Sequence, residues 1–306
     1  MAPSPTGAQH LGNARTYLIA YWAARSVGGE LHLRIDDLDS PRVKSWASEQ
    51  AIEDLRWLGI DWDGEPTFQS QQRGYGRVLE SIAAADLAYP CTCSRKDIEQ
   101  ALSAPHESRF RGEGPVYPGT CAGWRFGQPF PNVPYCWRFR ASDASLDFED
   151  RLLGKQTCNP ARELGDFPIT QKSGVAAYQL AVCVDDLDAG INQVVRGNDL
   201  VASTFRQLEI YRALQREPPT YAHTPLVRGH DGHRLAKRHG DTRLSTYRES
   251  GVRPEAIVGW AAHSLGLIGS PEPCSASELI GEFDWERTGV DDTQVDAEHL
   301  FGPDSI

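Results

Sequence analysis

The chain has 306 residues, of which 40% are hydrophobic and 24% charged, and its formal net charge is −11 at pH 7. This composition predicts a globular protein with a full hydrophobic core and two or three domains. It excludes a membrane-spanning protein, because no run reaches about 18 uninterrupted apolar residues. No apolar segment follows a charged start, so we expect a cytoplasmic protein without a membrane partner.

The first segment predicts a turn that leads into a helix. Residues 2–13 contain two Pro, which fix φ, and two Gly, which let the backbone approach a ligand closely. Apolar residues at helical spacing follow and predict a helix over residues 13–26. The unpaired N–H groups and the positive dipole at the start of such a helix suit a phosphate. An ordinary strand-to-helix turn would use the same residue types.

The next elements alternate between strand and helix. Residues 30–36 alternate apolar and polar side chains, which predicts a strand, and residues 43–58 and 77–87 predict helices. The expected buried positions of the two helices are Trp46, Ala51, Ile52, Leu55, Leu58, Val78, Leu79 and Ile82. This order predicts an α/β protein with a parallel, doubly wound sheet, which gathers ligands at the carboxyl ends of its strands.

The pattern changes at residue 89, where short segments rich in Pro, Gly and aromatic residues begin. We expect an inserted subdomain here. Its cysteines Cys91, Cys93 and Cys121 suggest a structural zinc ion, because a metal can replace missing hydrophobic burial in a small unit. The chemistry leaves the fourth ligand open between His106 and Tyr117, and free buried thiols remain the alternative to zinc.

Regular elements return after residue 167. Residues 176–185 are strongly apolar and predict a strand, residues 203–214 and 254–267 predict helices, and a further helical stretch is expected at 276–283. The predicted boundaries are 1–88 for the first half of the α/β domain, 89–166 for the insertion, 167–246 for the second half and 247–306 for a helical C-terminal region.

The acidic charge is concentrated at the end of the chain. Residues 275–306 contain nine acidic residues and one basic residue, and so carry −8 of the net −11. A net negative charge argues against a nucleic-acid partner, but the nearly neutral remainder permits local basic surface. Residues 225–243 supply such a segment, with five Lys and Arg and three His. A solvated charged loop would have the same composition.

The turn at residues 2–13 and the basic segment together suggest chemistry on a nucleoside triphosphate. The phosphates need glycines and a helix end, and a departing pyrophosphate needs a mobile cation. His10, Gly12 and Lys237 could supply these. The chain has neither the phosphate loop G-x-x-x-x-G-K-[ST] nor the dinucleotide fingerprint G-x-G-x-x-G after a strand.

Short segments along the chain resemble one known family. Residues 3–7 (Pro-Ser-Pro-Thr-Gly) with 10–13 (His-Leu-Gly-Asn) resemble the first signature of class I aminoacyl-tRNA synthetases in its glutamyl form. Residues 234–238 (Arg-Leu-Ala-Lys-Arg) resemble their second, lysine-bearing signature, and residues 33–37 and 195–200 resemble further glutamyl-synthetase segments. The match ends near residue 244, before the helical anticodon-binding region of a full synthetase. That length and the cysteine arrangement resemble the short paralogous family, the glutamyl-queuosine tRNA(Asp) synthetases.

The resemblance implies a class I synthetase-type, Rossmann-like sheet with an inserted zinc-binding subdomain and a small helical C-terminal part. The implied glutamate-binding residues are Ser4, Asp36, Tyr178 and Arg196, where Asp36 suits the α-ammonium group and Arg196 a carboxylate. The implied ATP-binding residues are Gly7, His10, Gly12, Asn13 and Lys237. The implied zinc ligands are Cys91, Cys93, Tyr117 and Cys121, which leaves Cys136, Cys158, Cys183 and Cys274 as ordinary thiols.

The implied reaction has two steps. Glutamate and ATP, with Mg²⁺ on the phosphates, form glutamyl-adenylate and pyrophosphate, and His10 and Lys237 act as the catalytic residues by stabilising charge. Glutamate then passes to queuosine in the anticodon loop of tRNA(Asp), and we expect the enzyme to be a monomer. Two alternatives stay open: a truncated glutamyl-tRNA synthetase that charges the 3′ end of tRNA(Glu), and a non-catalytic binding module.

Two departures from the family pattern bear on these expectations. Ala236 stands where the second signature usually has a serine before its lysine. Family members also generally carry an arginine, which contacts the glutamate carboxylate, two residues before the Ala-Pro-Ser-Pro run at residues 2–5. This sequence begins at Met1, so we expect either a start further upstream or a missing contact.

Overall fold

A computed structural model describes residues 1–38, 43–101, 110, 114–229, 231–232, 235, 242–296 and 300–301. Its α-helices are α1 (Leu11–Arg25), α2 (Ser45–Trp57), α3 (Tyr75–Ala84), α4 (Arg95–Ala101), α5 (Pro160–Glu163), α6 (Tyr178–Asp188), α7 (Val201–Ala213), α8 (Leu244–Glu249) and α9 (Pro254–Ser264). Its strands are β1 (Arg34–Ile35), β2 (Thr67–Phe68), β3 (Ala88–Cys91), β4 (Cys136–Phe139), β5 (Leu146–Asp150), β6 (Gly154–Cys158), β7 (Phe167–Pro168), β8 (Gln193–Gly197), β9 (Thr220–Thr224), β10 (Val227–Gly229) and β11 (Thr293–Val295). Within these ranges no helix is both long and apolar enough to cross a membrane.

Helix α1 forms the centre of the largest hydrophobic core. Its apolar residues Leu11, Leu18, Ile19 and Trp22 are fully buried, and α9 belongs to the same core cluster. Full burial of such a side chain contributes about 1.5–3 kcal/mol. The helix predicted over residues 13–26 is confirmed.

The predicted strand at residues 30–36 is mostly an extended segment, and only β1 forms a ladder, parallel to β2. On its other side this segment hydrogen-bonds to the start of the chain. The Arg34 amide donates to the Met1 carbonyl at 2.9 Å, and the Asp36 amide donates to the Pro3 carbonyl at 3.0 Å. These bonds place the proline-rich turn beside Asp36.

The largest sheet has the strand order β6-β5-β9-β8. β8, β9 and β5 run parallel, and β6 runs antiparallel to β5. The predicted α/β fold with a parallel sheet is confirmed. β5 and β6 lie inside residues 89–166, the predicted insertion, yet β5 pairs with β9. The domain boundaries therefore stay predictions.

Two smaller sheets complete the described part. β3, β4 and β7 form an antiparallel sheet, with β3 at the start of the predicted insertion, β4 inside it and β7 just after it. β10 pairs with β11 in parallel, so the C-terminal region contributes a strand next to the segment that leads towards Lys237. The sequence did not predict this pairing.

Four further predicted helices are confirmed, and three other predictions differ from the structure. α2, α3, α7 and α9 match the helices predicted at 43–58, 77–87, 203–214 and 254–267. Residues 176–185, predicted as a strand, belong largely to α6, because a continuous apolar run fits a buried helix as well as a buried strand. Trp46 was predicted to be buried and is 51% exposed, since Ala47, Ala51 and Leu55 form the inner face of α2. The helical stretch at 276–283 is narrower than predicted, a 3₁₀ turn at Ser277–Leu279.

Candidate active site

A cavity of about 1120 Å³ lies where α1, β1, α6 and β8 meet. Its lining brings together predicted site residues from four separate segments: Ser4, Gly7, His10, Gly12, Asn13, Asp36, Tyr178 and Arg196. Cavities of this size hold a nucleotide or a drug-sized ligand. Lys237, the predicted catalytic cation, lies outside the described residues, as does His106.

His10 is the N-cap of α1, and its ring is fixed by that role. Its Nδ1 accepts a hydrogen bond from the Gly12 amide at 3.1 Å, and the Asn13 Oδ1 accepts one from the His10 amide at 3.1 Å. This capping box satisfies the two amides reciprocally. Because Nδ1 accepts, the neutral ring carries its proton on Nε2. A Cβ on Gly12 would lie 3.1 Å from the His10 Cε1, so a larger residue would displace the ring.

The segment that carries Lys237 is anchored to the described structure at both ends. At the far end the Leu11 amide, directly after His10, donates to the Thr242 carbonyl at 3.2 Å. At the near end β10 leads into the segment, and Val227 of β10 lines the cavity. The described residues on either side of the Lys237 segment therefore lie next to the start of α1.

Arg196, the predicted carboxylate-binding residue, lies near the end of β8 and is held by neutral acceptors. One terminal nitrogen donates to the Thr204 Oγ1 at 2.6 Å and to the Gln207 Oε1 at 2.9 Å, and Nε donates to the His223 Nε2 at 3.2 Å. The Tyr221 ring lies 5.3 Å from the guanidinium carbon. In the part of the chain that the structure describes, no carboxylate forms an ion pair with this guanidinium. Its charge is therefore available to a ligand in the cavity.

His223 and Asp150 are fully buried behind Arg196. An arginine only donates, so the His223 Nε2 accepts from it and the ring proton lies on Nδ1, which donates to the Asp150 Oδ2 at 2.6 Å. Burial lowers the pKa of His223, which keeps the ring neutral. Burial acts to raise the pKa of Asp150, but hydrogen bonds from His223 and from backbone amides hold it below its ordinary value.

Asp36 belongs to a cluster of three carboxylates around one cation. The Arg34 Nε donates to the Asp36 Oδ1 at 2.7 Å, and the Arg34 Nη1 donates to the Asp186 Oδ1 at 2.5 Å. The Asp185 Oδ2 lies 3.8 Å from the Arg34 Nε. Burial raises the pKa of Asp36 to about 6, although Arg34 opposes this rise. All four side chains line the cavity, and their excess negative charge suits an ammonium group.

Ser4 and Tyr178 reach the same cavity from two different elements. Ser4 follows Pro3, whose carbonyl accepts from the Asp36 amide at 3.0 Å. Tyr178 is the first residue of α6, and 41% of it is exposed. The structure thus places both residues on the cavity wall with Asp36 and Arg196.

The cysteine cluster lies at a separate place, at the end of β3. The Sγ atoms of Cys91, Cys93 and Cys121 lie within 4.8 Å of one another, with 3.7 Å between Cys93 and Cys121. The Tyr117 Oη lies 3.4 Å from the Cys91 Sγ and 3.6 Å from the Cys93 Sγ. Tetrahedral zinc with Zn–S bonds of about 2.3 Å separates its sulfur ligands by about 3.8 Å. The four donors therefore fit one zinc ion, and among the described residues no other cysteine joins the group.

Sequence reasoning missed several residues around the cavity. Arg34 could have been found, because it lies two positions before Asp36 on an extended segment and so shares its face. Asp185 is the last residue of the strand predicted at 176–185, and Asp186 follows it. Only the α6 helix turns both carboxylates towards Arg34. His223 and Asp150 are 73 positions apart and carry no local signal.

Comparison with known proteins identifies the same family that the sequence motifs resemble. The family described as "tRNA synthetases class I (E and Q), catalytic domain" matches residues 1–301. A "Glutamyl-Q tRNA(Asp) synthetase" of Rhodopirellula baltica is 54% identical over 97% of this chain and 95% of the relative, and one of Symbiobacterium thermophilum is 43% identical over 98% and 96%. A crystal structure of a glutamate tRNA ligase from Elizabethkingia meningosepticum in complex with its amino acid superposes with a TM-score of 0.79, at 28% identity, over 98% of this chain and 67% of the other. The chain belongs to the class I tRNA synthetase family, among the glutamyl-Q tRNA(Asp) synthetases.

Proposed function

We propose that this chain activates L-glutamate with ATP and transfers the glutamyl group to queuosine in the anticodon loop of tRNA(Asp). The observation that carries the proposal is Arg196, a cation on the cavity wall that is fixed by neutral acceptors and unpaired with any carboxylate of the described residues. A cation fixed in this way binds an anionic substrate. The names of the two relatives support queuosine-containing tRNA(Asp) as the acceptor.

Two charges of opposite sign select the amino acid. Arg196 binds a carboxylate of glutamate, Asp36 binds the α-ammonium group, and Ser4 and Tyr178 contact the same substrate. Glutamine has the same shape but a neutral side chain, so it would leave the Arg196 guanidinium without a counter-charge. A site built for one polar partner discriminates strongly against an analogue that lacks it.

The start of α1 binds ATP, with Gly7, His10, Gly12 and Asn13 against the nucleotide. In the first step an oxygen of the glutamate α-carboxylate attacks the α-phosphorus of ATP, and the bond from that phosphorus to the bridging oxygen breaks as pyrophosphate leaves. The His10 Nε2–H and the α1 dipole stabilise charge on the phosphates, and Lys237 stabilises the pyrophosphate. Mg²⁺, when bound to the phosphates, supplies further charge neutralisation.

The second step needs no covalent intermediate on the protein. A hydroxyl oxygen of the queuosine ring attacks the glutamyl carbonyl carbon, the bond from that carbon to the AMP phosphate oxygen breaks, and the hydroxyl proton passes to solvent. Positioning and charge stabilisation then account for catalysis in both steps.

Zinc is proposed as a structural ion at Cys91, Cys93, Tyr117 and Cys121. The donor spacings support this assignment, and the ion would tie the end of β3 to residues 117–121. Structural zinc contributes directly to the stability of small units. It takes no part in either chemical step.

The first test is pyrophosphate exchange in the absence of tRNA. We expect exchange that depends on glutamate and is much weaker with glutamine or aspartate. Exchange that is absent, or equal for glutamate and glutamine, would contradict the assignment of Arg196.

The second test measures glutamate transfer to three RNAs: queuosine-containing tRNA(Asp), the same tRNA without queuosine, and tRNA(Glu). We expect label on the first alone. Label on tRNA(Glu) would instead identify a short glutamyl-tRNA synthetase, and label on none would favour a binding module.

A further inference from the structure

The acidic C-terminal region reaches the proposed ATP site through β11 and the residue before it, Asp292. β11 pairs in parallel with β10, the strand that leads into the Lys237 segment, over three residues on each side. The Thr293 amide donates to the Leu226 carbonyl at 2.9 Å and begins this ladder. The C-terminal region is thus bonded to the strand at the near end of the lysine segment.

Asp292 adds side-chain contacts to the same strand. Its Oδ1 accepts from the Leu226 amide at 2.6 Å, and its Oδ2 accepts from the Arg228 Nε at 2.5 Å. Arg228 in turn donates through Nη1 to the Gly232 carbonyl at 3.2 Å, in the turn that follows β10. A longer contact, 3.4 Å, joins the Asp292 Oδ1 to the Asn198 Nδ2. One carboxylate therefore holds the strand and, through Arg228, the first turn of the lysine segment.

The neighbouring Thr293 connects the same strand to α1. Arg15, 1% exposed, donates to the Thr293 Oγ1 at 2.7 Å and to the Pro225 carbonyl at 2.7 Å. Arg15 lies on α1 between its first turn, where His10 is the cap, and its buried centre. A buried guanidinium needs such acceptors, since an unsatisfied charge in the core is strongly unfavourable. β11 is therefore bonded to both structural elements of the proposed ATP site.

The charge of Asp292 is maintained in this environment. Burial acts to raise its pKa, but hydrogen bonds from the Leu226 amide and from Arg228 hold the pKa below its ordinary value. The carboxylate is therefore ionised at neutral pH. Asp291, the preceding residue, is exposed and offers a matched acidic position.

We propose that Asp292 is a positioning residue that, with β11, sets the distance between the His10 end of α1 and the start of the Lys237 segment, and so tunes ATP binding and activation. This inference rests on the proposed function, since it assigns the ATP half of that site. It gives the acidic C-terminal region a role in catalysis that acts through β10 and α1 rather than through contact with a substrate.

The test compares Asp292→Asn and Asp292→Ala with Asp291→Asn in glutamate-dependent pyrophosphate exchange. Asn keeps an acceptor for the Leu226 amide but removes the charge that holds Arg228, and Ala removes both. We expect the KM for ATP to rise about tenfold or more in both Asp292 variants, and more in Asp292→Ala than in Asp292→Asn, because small displacements of the groups in a site have large kinetic effects. The KM for glutamate should stay within about twofold of the wild-type value. Asp291→Asn should match wild type.

Thermal unfolding of each variant, with assays run where all are folded, separates positioning from general destabilisation. Equal changes in both KM values, or Asp292 variants that match Asp291→Asn, would overturn the inference while leaving the proposed function intact. A wild-type protein that shows no glutamate-dependent exchange would overturn both.

Discussion

The Arg196 Nε donates to the His223 Nε2, and this single bond decides which ring nitrogen carries the proton. The proton on Nδ1 then points at Asp150, at 2.6 Å. A buried carboxylate, a neutral imidazole and a guanidinium thus form one chain of hydrogen bonds that ends at the cavity. Neither Asp150 nor His223 lines the cavity, so both act on a substrate only through Arg196.

Substitutions of His223 test its hydrogen bond to Arg196 separately from its hydrogen bond to Asp150. His223→Ala removes the acceptor for Arg196 and leaves Asp150 without its ring donor, so we expect the KM for glutamate to rise about 10- to 100-fold, the range for a lost hydrogen bond to a charged group. The measured quantities are the KM for glutamate and the KM for ATP in pyrophosphate exchange. His223→Gln keeps an acceptor that can reach towards Arg196. It should retain more glutamate affinity than His223→Asn, whose shorter amide reaches Asp150 but not Arg196. The reverse order would contradict the positioning role.

Replacement of Arg196 by lysine tests the shape of the cation. Arg196 donates to Thr204, Gln207 and His223 and still has its Nη1 for a substrate carboxylate, whereas the three N–H groups of a lysine cannot serve all four acceptors. We expect kcat/KM for glutamate to fall by about 10- to 100-fold. The weak reaction with glutamine should fall less, because a neutral amide does not use the charge. An equal loss for both amino acids would show that Arg196 supports the fold and does not read the substrate.

The raised pKa of Asp36 predicts that glutamate activation weakens at acidic pH. Its charged form pairs with the α-ammonium group, and burial raises its pKa to about 6. As the pH falls through that value the carboxylate is protonated and the pairing is lost. We therefore expect kcat/KM for glutamate to decline below about pH 6, by about tenfold per pH unit.

Two controls accompany this pH profile. Asp36→Asn should have a low kcat/KM for glutamate that no longer shows this decline. The KM for ATP in the wild type should stay nearly constant across the same window. A wild-type profile that is flat down to pH 5 would contradict the assigned role of Asp36.

Gly12 tests the placement of His10. In Gly12→Ala the new Cβ would lie 3.1 Å from the His10 Cε1 and 3.2 Å from its Nδ1, so the ring must move. We expect the KM for ATP to rise about tenfold or more with the glutamate KM little changed. Gly76→Ala on α3 is the matched control, because its Cβ would meet no atom within 4 Å. That variant should bind ATP normally, and Gly12→Ala with wild-type ATP kinetics would contradict the role of His10.

The cysteine cluster predicts one zinc ion per chain. Metal analysis of the purified protein should find it, and Cys121→Ala should lose it together with several degrees of thermal stability. Tyr117→Phe removes only the phenol oxygen and should weaken zinc retention during chelation. Cys274→Ser, at a thiol remote from the cluster, should retain zinc. Full zinc in Cys121→Ala would contradict the ligand set.

Apolar residues at helical spacing predicted helices α1, α2, α3, α7 and α9. In the structure only α2 and α3 bury one side, whereas α1, α7 and α9 bury residues around most of their circumference. The same reasoning failed at residues 176–185, where the run is apolar apart from Gln179 and Asp185 and therefore fits a strand or a buried helix. It also placed Trp46 inside, because a large apolar residue at the start of α2 looks buried in sequence and lies on the outer face in space.

The sequence by itself determined the turn at residues 2–13, the positions of the candidate site residues and the cysteine cluster, since each depends on residue types within a short segment or on resemblance to a family. Only the tertiary structure decided how Arg34 shares its charge among three carboxylates, how His223 and Asp150 orient Arg196, and how Asp292 meets Arg228 from 64 positions away. These contacts join distant segments, and nothing in the local chemistry of either segment specifies the partner.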